Sequence, residues 1–324
     1  LPVAALAAAL ALLAGPLPAA SPATPAPAGA PQAAPLPPGL ADLDAYVAQV
    51  QATFQVPGIA IAVVKDGQPV LVRGYGVREV GGKPVDADTR FAIASITKAF
   101  TATALNLLAE DGKLRLEDRV IDHLPWFRMA DPYVTREMRV RDLLAHRSGL
   151  GLGAGDLLYW PGTDLTTEEV ARRLAHVPLA GSFRDGYAYD NILYAVAQLV
   201  VEHASGQTFE QFLQARVFAP LGMDDVRFNS DRLRPNDNVA TGYALADGKT
   251  LVPAPRLAWS NASGAGGLYA SANEMANPSV GFVIETLRDA ADYRGLFEAA
   301  FGRGPGIETV GQALASYQRT LVSA

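Results

Sequence analysis

The sequence predicts an α+β domain in which strands come first and a long helical stretch follows. Two β-rich runs, residues 59–64 and 70–75, flank Lys65-Asp66-Gly67, and an Asp-Gly pair between such runs is a strong hairpin signal. Helical signals then dominate residues 95–217. This grouping favours an α+β domain over a doubly wound sheet, in which strands and helices would alternate.

The first predicted helix begins at or just before Ser95. Four apolar residues recur at every fourth position, which places them on one helix face: Ile96, Phe100, Ala104 and Leu108. Asp111-Gly112 follows and supplies a signal for the end of the helix. The sequence therefore predicts an amphipathic helix with Ser95 at its start.

Two capping boxes predict further helices. Segments 166–169 and 208–211 each begin with Thr and end with Glu or Gln, so the side chains at the two ends satisfy unpaired N–H groups at a helix start. Helices are therefore expected near 167–176 and 208–217.

Two more elements are predicted in the second half of the chain. Residues 192–201 are apolar on most sides and end at Ser205-Gly206, which indicates a buried helix. Residues 243–252 surround Ala246-Asp247-Gly248 and predict a short hairpin.

Composition excludes several classes of chemistry. The chain has 324 residues, a formal net charge of −6 and no cysteine. Disulfides, iron–sulfur clusters, thiolate zinc sites and covalently attached c-type haem are therefore ruled out. A pI near 5.3 without a basic run gives no footprint for binding phosphate backbones, so no nucleic-acid partner is expected.

The first 41 residues differ from the rest of the chain because they carry no charge and hold ten of the 23 prolines. Residues 1–20 combine an apolar run, Leu6 to Leu13, with small residues suited to signal-peptidase cleavage. Residues 21–39 are rich in Pro and Ala, as in an extended linker. The sequence predicts an exported protein, periplasmic or secreted; a plain disordered N-terminus is the alternative.

Ser95-Ile96-Thr97-Lys98 is the first candidate for chemistry. Its spacing places a hydroxyl and an amine one helical turn apart on the same face. A buried Lys with a lowered pKa can take the Ser proton, and the helix N-terminus favours the oxyanion formed when a carbonyl is attacked. The alternative is a Ser that caps a helix, followed by an exposed Lys.

Tyr189-Asp190-Asn191 is the second candidate and lies just before the predicted buried helix. A Tyr hydroxyl beside a Lys ammonium can shuttle a proton between nucleophile and leaving group. The Asn191 amide can orient that Lys or hydrogen-bond a substrate carbonyl. The alternative is a capped turn that packs an aromatic ring.

The chain resembles the serine β-lactamase-like and penicillin-binding-protein-like hydrolases, in particular the branch with class C β-lactamases, D,D-peptidases and family VIII esterases. The resemblance covers residues 40–276. Its landmarks follow in the family's order: Phe91-Ala-Ile-Ala-Ser-Ile-Thr-Lys98, Val140-Arg-Asp-Leu-Leu-Ala-His-Arg-Ser-Gly-Leu150, Tyr187-Ala-Tyr-Asp-Asn191, Phe218-Ala-Pro-Leu-Gly-Met223 and Gly264-Ala-Gly-Gly-Leu268.

The resemblance implies a β-lactamase/transpeptidase-like fold with a helical subdomain. It implies that Ser95 is the acylated nucleophile, that Lys98 is its general-base partner, and that Tyr189 is catalytic and Asn191 binds substrate. In this family the position of His146 is structural, with packing and hydrogen bonds near the site. The histidines lack the spacing of metal ligands, so neither a metal nor another cofactor is expected.

The third motif of the family, a His/Lys-x-Gly triplet on a strand, is not found after Gly267-Leu268. The sheet is therefore expected to lack its C-terminal strands. Residues 277–324 instead resemble the C-terminal end of a di-haem cytochrome c peroxidase, on motifs such as Asn277-Pro-Ser-Val-Gly-Phe282. A gene fusion, a frameshift or a misassembled reading frame would explain this helical tail, and no haem follows from it because the attachment cysteines are missing.

The sequence thus predicts an incomplete serine hydrolase domain, residues 40–276. Its substrates would be esters or amides such as a β-lactam, a short acyl ester or a peptidoglycan-type peptide. The alternative is a catalytically impaired or inactive binding protein that keeps the hydrolase-like surface. The sequence makes no prediction about the oligomeric state.

Overall fold

The computed structural model describes residues 35–277 with the exception of residue 66. The chain divides into one unit of residues 1–36 and a second of residues 37–324, and the fold below is that of the described part of the second unit. The predicted signal peptide, most of the predicted linker and the predicted tail lie outside the described residues, apart from residue 277.

The predicted N-terminal hairpin is confirmed. Helix α1, Leu43–Phe54, precedes β1, Gly58–Lys65, and β2, Gln68–Gly76. The two strands pair antiparallel, with an irregularity between Val63 and Val64. Within residues 35–277 this hairpin pairs with no third strand.

Helices after α1 form the larger part of the remaining regular secondary structure in the described residues. In chain order they are α2 Thr97–Glu110, α3 Val120–His123, α4 Pro132–Glu137, α5 Thr167–Arg172, α6 Ile192–Ser205, α7 Phe209–Leu213, α8 Ala219–Leu221, α9 Ser263–Gly266 and α10 Ala272–Met275. Short 3₁₀ segments are Ala94–Ile96, Val140–Leu144, Asp156–Leu158, Arg173–His176, Ser230–Arg232 and Ser260–Ala262.

The predicted helix starts are confirmed, whereas the predicted helices are less regular than expected. The side chains of Thr166 and Thr208 accept hydrogen bonds from the backbone at the starts of α5 and α7. A 3₁₀ turn then completes the first of these helices, and a π-helical turn, Gln214–Phe218, joins α7 to α8. Pro220 in α8 has no N–H to continue a regular ladder.

Helices α2, α6 and α9 pack against one another and form the centre of the core. The predicted buried helix is α6, and nine of its fourteen residues are buried. A Cβ on Gly264 of α9 would lie 2.7 Å from the Tyr194 carbonyl oxygen of α6. Glycine therefore permits a close approach of the two helices that a side chain would prevent.

A small antiparallel sheet lies beside α2. Strands β3, Arg90–Ala92, and β4, Arg227–Phe228, flank β7, Leu268–Ser271. The Ile93 N–H donates to the Leu268 carbonyl at 2.9 Å, which fixes the chain just before Ser95. Strands of two to four residues are too short to show a period of two, so the sequence did not predict them.

The predicted second hairpin is confirmed by strands β5, Tyr243–Ala246, and β6, Thr250–Pro253. Three residues, 247–249, connect the strands, and the Lys249 N–H donates to the Ala246 carbonyl at 3.0 Å. Asp247 and Gly248 at the centre of this turn have φ values of +53° and +67°, the positive values that a type I′ turn requires. Among residues 35–277, none of the helices combines the length and apolar character needed to cross a membrane.

Candidate active site

Ser95 lies in the 3₁₀ turn Ala94–Ile96, directly before α2. Its side chain is half-buried. Ala94 before it has a φ of +44°, a left-handed conformation that costs a residue with a Cβ some free energy. Ser95 is therefore held at a sharp corner where a short strand ends and a helix begins.

Lys98 is buried in the first turn of α2, with 7% of its surface exposed. Its Nζ lies 3.0 Å from Ser95 Oγ, 2.7 Å from Asn191 Oδ1 and 2.7 Å from the Ala265 carbonyl oxygen. Three oxygens thus surround an amine that has three protons when charged. The side chain is fixed beside the Ser95 hydroxyl.

Burial lowers the pKa of Lys98 to about 7, and the nearby Asp190 and Asp156 carboxylates oppose that shift. The amine also faces the rings of Tyr189 and Tyr194, at 4.9 and 5.2 Å from the ring centroids. Near neutral pH a large fraction of Lys98 is therefore uncharged and able to accept a proton.

Tyr189 lies in the loop before α6 and reaches the same hydroxyl. Its Oη donates to Ser95 Oγ at 2.7 Å, across 94 positions of sequence. Ser95 Oγ is therefore in hydrogen-bond range of both Tyr189 and Lys98. The structure brings together the three residues for which the sequence predicts catalytic roles.

Asn191 is placed at the start of α6 and contacts Lys98 rather than Ser95. Its Oδ1 accepts from Lys98, and its Nδ2 lies 3.3 Å from each carboxylate oxygen of Asp156. This amide was expected either to orient Lys98 or to hydrogen-bond a substrate carbonyl. Its hydrogen bonds correspond to the first of these two uses. Its role in substrate binding stays a prediction.

His146 lies beside Tyr189 and Asp190, and its neutral ring accepts a hydrogen bond. It is 8% exposed, and burial together with the charge of Lys98 lowers its pKa to about 4. Its Nδ1 accepts the Asp190 N–H at 3.3 Å, and its ring lies 4.4 Å from that of Tyr189. These contacts match the structural position that the family resemblance implies.

Asp190 is fully buried beneath the loop that carries Tyr189. Burial raises its pKa to about 7, against hydrogen bonds from Leu193 and Ser148 and the charge of Lys98. The Ser148 hydroxyl is itself 1% exposed, lies 3.4 Å from Asp190 Oδ2 and accepts the Leu150 N–H. Ser148 is therefore a structural residue of this turn.

Sequence reasoning missed two side chains and one carbonyl of the site. Asp190 is the middle residue of the Tyr189-Asp190-Asn191 triplet, but no sequence signal indicates that its carboxyl group is buried. Asp156 follows a glycine-rich segment, 149–155, whose composition is a turn signal but says nothing of where its acid points. The Ala265 carbonyl has no sequence signal because every residue has one.

A cavity of about 250 Å³ is lined in part by Ala94, the residue before Ser95. Small residues make up much of its wall, and the other lining residues include one cationic and two aromatic side chains: Arg256, Trp259 and Tyr269. Because Ala94 precedes Ser95 in the chain, a molecule in this cavity would lie next to the turn Ala94–Ile96. Among the described residues, which leave out residue 66, no group of three or more His, Asp or Glu is arranged to hold a metal ion.

Comparison with known proteins places these features in a family. The family described as Beta-lactamase matches residues 43–317. That range includes part of the tail, whose resemblance to a peroxidase stays a prediction.

Two curated relatives show different coverage. Esterase EstB of Burkholderia gladioli is 32% identical over 309 residues, which is 82% of this chain and 77% of EstB. An unguisins hydrolase of Aspergillus violaceofuscus is 30% identical over 219 residues, 63% of this chain. The chain spans only 37% of the length of that hydrolase.

Solved structures with the same fold include two at 28% sequence identity. The octameric penicillin-binding protein homologue from Pyrococcus abyssi has a TM-score of 0.65 over 76% of this chain and 56% of its own. D-amino acid amidase from Ochrobactrum anthropi has a TM-score of 0.63 over 76% of this chain and 68% of its own. This chain belongs to the β-lactamase family.

Proposed function

We propose that this protein is a serine hydrolase that forms an acyl-enzyme at Ser95 with an ester or amide substrate. One observation carries the proposal. Ser95 Oγ lies 3.0 Å from the Lys98 amine and 2.7 Å from Tyr189 Oη, and burial lowers the pKa of that amine to about 7. A hydroxyl is a poor nucleophile until a neighbour takes its proton, and both neighbours are in reach.

Acylation begins with proton transfer from Ser95 Oγ to the neutral Lys98 amine. Oγ then attacks the substrate carbonyl carbon, and the carbonyl oxygen becomes an oxyanion beside the N–H groups at the start of α2. The Lys98 ammonium formed in this step is held by Asn191 Oδ1 and the Ala265 carbonyl. The new charge therefore has acceptors in place before the reaction starts.

Collapse of the tetrahedral intermediate breaks the bond to the leaving group, which takes a proton. In this mechanism Tyr189 Oη delivers it, and Lys98 returns its own proton to Tyr189, so the site regains its starting protonation. Water then attacks the acyl-enzyme with the same groups in reverse roles. The acid is released and the Ser95 hydroxyl is restored.

Three substrate classes fit this chemistry: a short acyl ester, a β-lactam and a peptidoglycan-type peptide or related amide. The similarity to an esterase and to an amidase supports esters and amides as a class. An inactive binding protein is supported less, because it would need neither the three-way contact at Ser95 nor a lysine with a lowered pKa.

The test is covalent labelling of the full chain with a fluorophosphonate and with a fluorescent penicillin, followed by mapping of the adduct. We expect an adduct on Ser95 that is absent in Ser95→Ala and unchanged in the exposed control Ser182→Ala. Hydrolysis of p-nitrophenyl butyrate and of nitrocefin then separates ester from β-lactam substrates. Folded protein without any adduct at Ser95 would rule out the enzymatic function.

The same proposal includes export of the protein to the periplasm or the medium. Support comes from the uncharged apolar run and small residues within residues 1–20. Expression of the full chain in a bacterium, followed by fractionation and N-terminal sequencing, tests it. Export predicts cleavage near residue 20, whereas an intact chain that stays in the cytoplasm contradicts it.

The domain boundaries are proposed to be 40–276 for the hydrolase and 277–324 for a tail of foreign origin. The change in sequence character at residue 277 and the unmatched third motif support this boundary, whereas the family match, which extends to residue 317, counts against it. Resequencing the gene across codons 270–285 is the test. An uninterrupted hydrolase reading frame there would contradict a natural chimera.

A further inference from the structure

Asp156 is a charged side chain at the site that the mechanism above does not use. It is half-buried in the 3₁₀ turn Asp156–Leu158. Its carboxylate accepts the Tyr159 hydroxyl and lies 3.3 Å, through each oxygen, from Asn191 Nδ2. It therefore contacts the residue that contacts Lys98.

The segment that carries Asp156 is fastened to the site through its backbone. The Gly153 N–H donates to the Tyr189 carbonyl at 2.9 Å, and the Asp156 N–H donates to the Gly153 carbonyl at 3.1 Å. Gly153 and Gly155 have φ values of +66° and +86°, a region that glycine enters without strain. The carboxylate is thus held in a fixed place relative to the catalytic loop.

The chemistry of the two neighbours decides how the Asn191 amide is oriented. An ionised carboxylate only accepts hydrogen bonds, and a lysine ammonium only donates them. Asp156 on one side and Lys98 on the other therefore favour the amide with Nδ2 toward Asp156 and Oδ1 toward Lys98. The flipped amide would set two oxygens against each other and two donors against each other.

We infer that Asp156 is a positioning residue, which acts through Asn191 to hold the Lys98 amine beside Ser95. This inference rests on the proposed acylation at Ser95. It adds a four-residue chain, Asp156 to Asn191 to Lys98 to Ser95, in which each contact fixes the next.

Asp156 has a second effect through its charge, since its carboxylate opposes the lowering of the Lys98 pKa. Several titratable groups face Lys98 from the segments around it: Asp156, Asp190, His146, Tyr189 and Tyr194. Two substitutions separate charge from orientation. Asp156→Asn keeps an oxygen that can accept from Asn191 but removes the charge, whereas Asp156→Ala removes both.

The first measurement is the second-order rate constant for labelling of Ser95 by a fluorophosphonate. Asp156→Ala should slow labelling by about ten- to a hundredfold, since a hydrogen bond to a charged group contributes that much. Asn191→Ala should have a similar effect, and the double variant should be no slower than Asn191→Ala alone. Asp156→Asn should keep most of the rate, and the exposed control Asp164→Ala all of it.

The second measurement needs no turnover and so separates this inference from the proposed function. Lysine side-chain NMR can follow Lys98 among only five lysines, and its titration midpoint should fall in both Asp156 variants. Effects of Asp156→Ala and Asn191→Ala that multiply would overturn the inference, as would a Lys98 midpoint that is unchanged in both Asp156 variants. If the wild-type protein is not labelled but the Lys98 midpoint still falls in both Asp156 variants, the result would count against the proposed function alone.

Discussion

Two regions of this domain differ sharply in how they are built. In α2, which carries Lys98, ten of fourteen residues are buried. In the β1–β2 hairpin only Leu71 is buried across both strands. Helices α2, α6 and α9 pack against one another as one helical corner. The hairpin has its own ladder, contacts α10, and hydrogen-bonds to Asp44 of α1 through Arg73 and Tyr75.

This difference indicates which part of the molecule holds the site residues in place. Ser95, Lys98, Asn191 and the Ala265 carbonyl all belong to the helical corner or to turns directly attached to it. None of their hydrogen bonds reaches the hairpin. We therefore expect the reactive group of residues to depend on α2, α6 and α9 and to tolerate change in the hairpin.

The largest contrast is expected between two lysines, one in each region. Lys98→Ala should reduce labelling of Ser95 by at least about 10³-fold, because the proton acceptor and its geometry are lost together. Lys65→Ala, at the exposed end of β1, should leave labelling unchanged. Rate constants for fluorophosphonate labelling measure both, and equal losses would show that the two regions are coupled.

The pH dependence of Ser95 labelling tests the role of Lys98 in the helical corner. In the proposed mechanism only neutral Lys98 accepts the Ser95 proton. Its pKa is lowered to about 7, so the labelling rate should fall about tenfold per pH unit below that value. Above it the rate should level off.

Asp190 is the control for that profile, because its pKa is raised to about 7 and the two groups titrate together. In Asp190→Asn an inflection near neutral pH should persist, moved to lower pH by the loss of a negative neighbour. A rate that is flat from pH 5 to 8 in wild-type protein would remove Lys98 as the base.

The loss of stability on truncating a side chain should be larger in the helical corner than in the hairpin. Leu193 in α6 is fully buried, so Leu193→Ala should cost about 2–5 kcal/mol of unfolding free energy. Val70 in β2 is 39% exposed, and Val70→Ala should cost less than about 1 kcal/mol. Denaturant titration of both variants gives the two values, and a hairpin loss as large as the α6 loss would contradict the division.

The smallest expected effect concerns the approach of α9 to α6. In Gly264→Ala the new Cβ would meet the Tyr194 carbonyl oxygen at 2.7 Å, so the two backbones must separate at a cost of about 1–3 kcal/mol. Gly186→Ala, which meets nothing within 4 Å, is the matched control. Thermal unfolding compares the two, and a Gly264→Ala variant as stable as the control would show that the contact relaxes freely.

Local signals in the sequence were enough for some of this architecture. Ser95 and Lys98 are one turn apart, so helix geometry alone predicted their contact. The Thr166 and Thr208 caps and the Asp247-Gly248 turn are likewise decided by residues within four positions. These features need no knowledge of the rest of the fold.

Long-range contacts were beyond local reasoning. Tyr189 reaches Ser95 across 94 positions, and no local pattern predicts a contact over that separation. Asp156 and the Ala265 carbonyl depend on how three segments meet in space, which no periodicity records. Strands β3, β4 and β7 form because they pair with one another, since each is too short to carry a pattern.

One of the three oxygens around Lys98 belongs to the peptide backbone at Ala265. No codon change at that position can delete it, so this anchor is shielded from ordinary point mutation in a way that Asn191 is not. In a saturation mutagenesis scan, substitutions at residue 265 should therefore not remove this acceptor. Substitutions at neighbouring residues that shift the backbone should weaken the contact instead. Replacement of the acceptor itself would require chemical synthesis, with a thioamide at residue 265 in place of the amide.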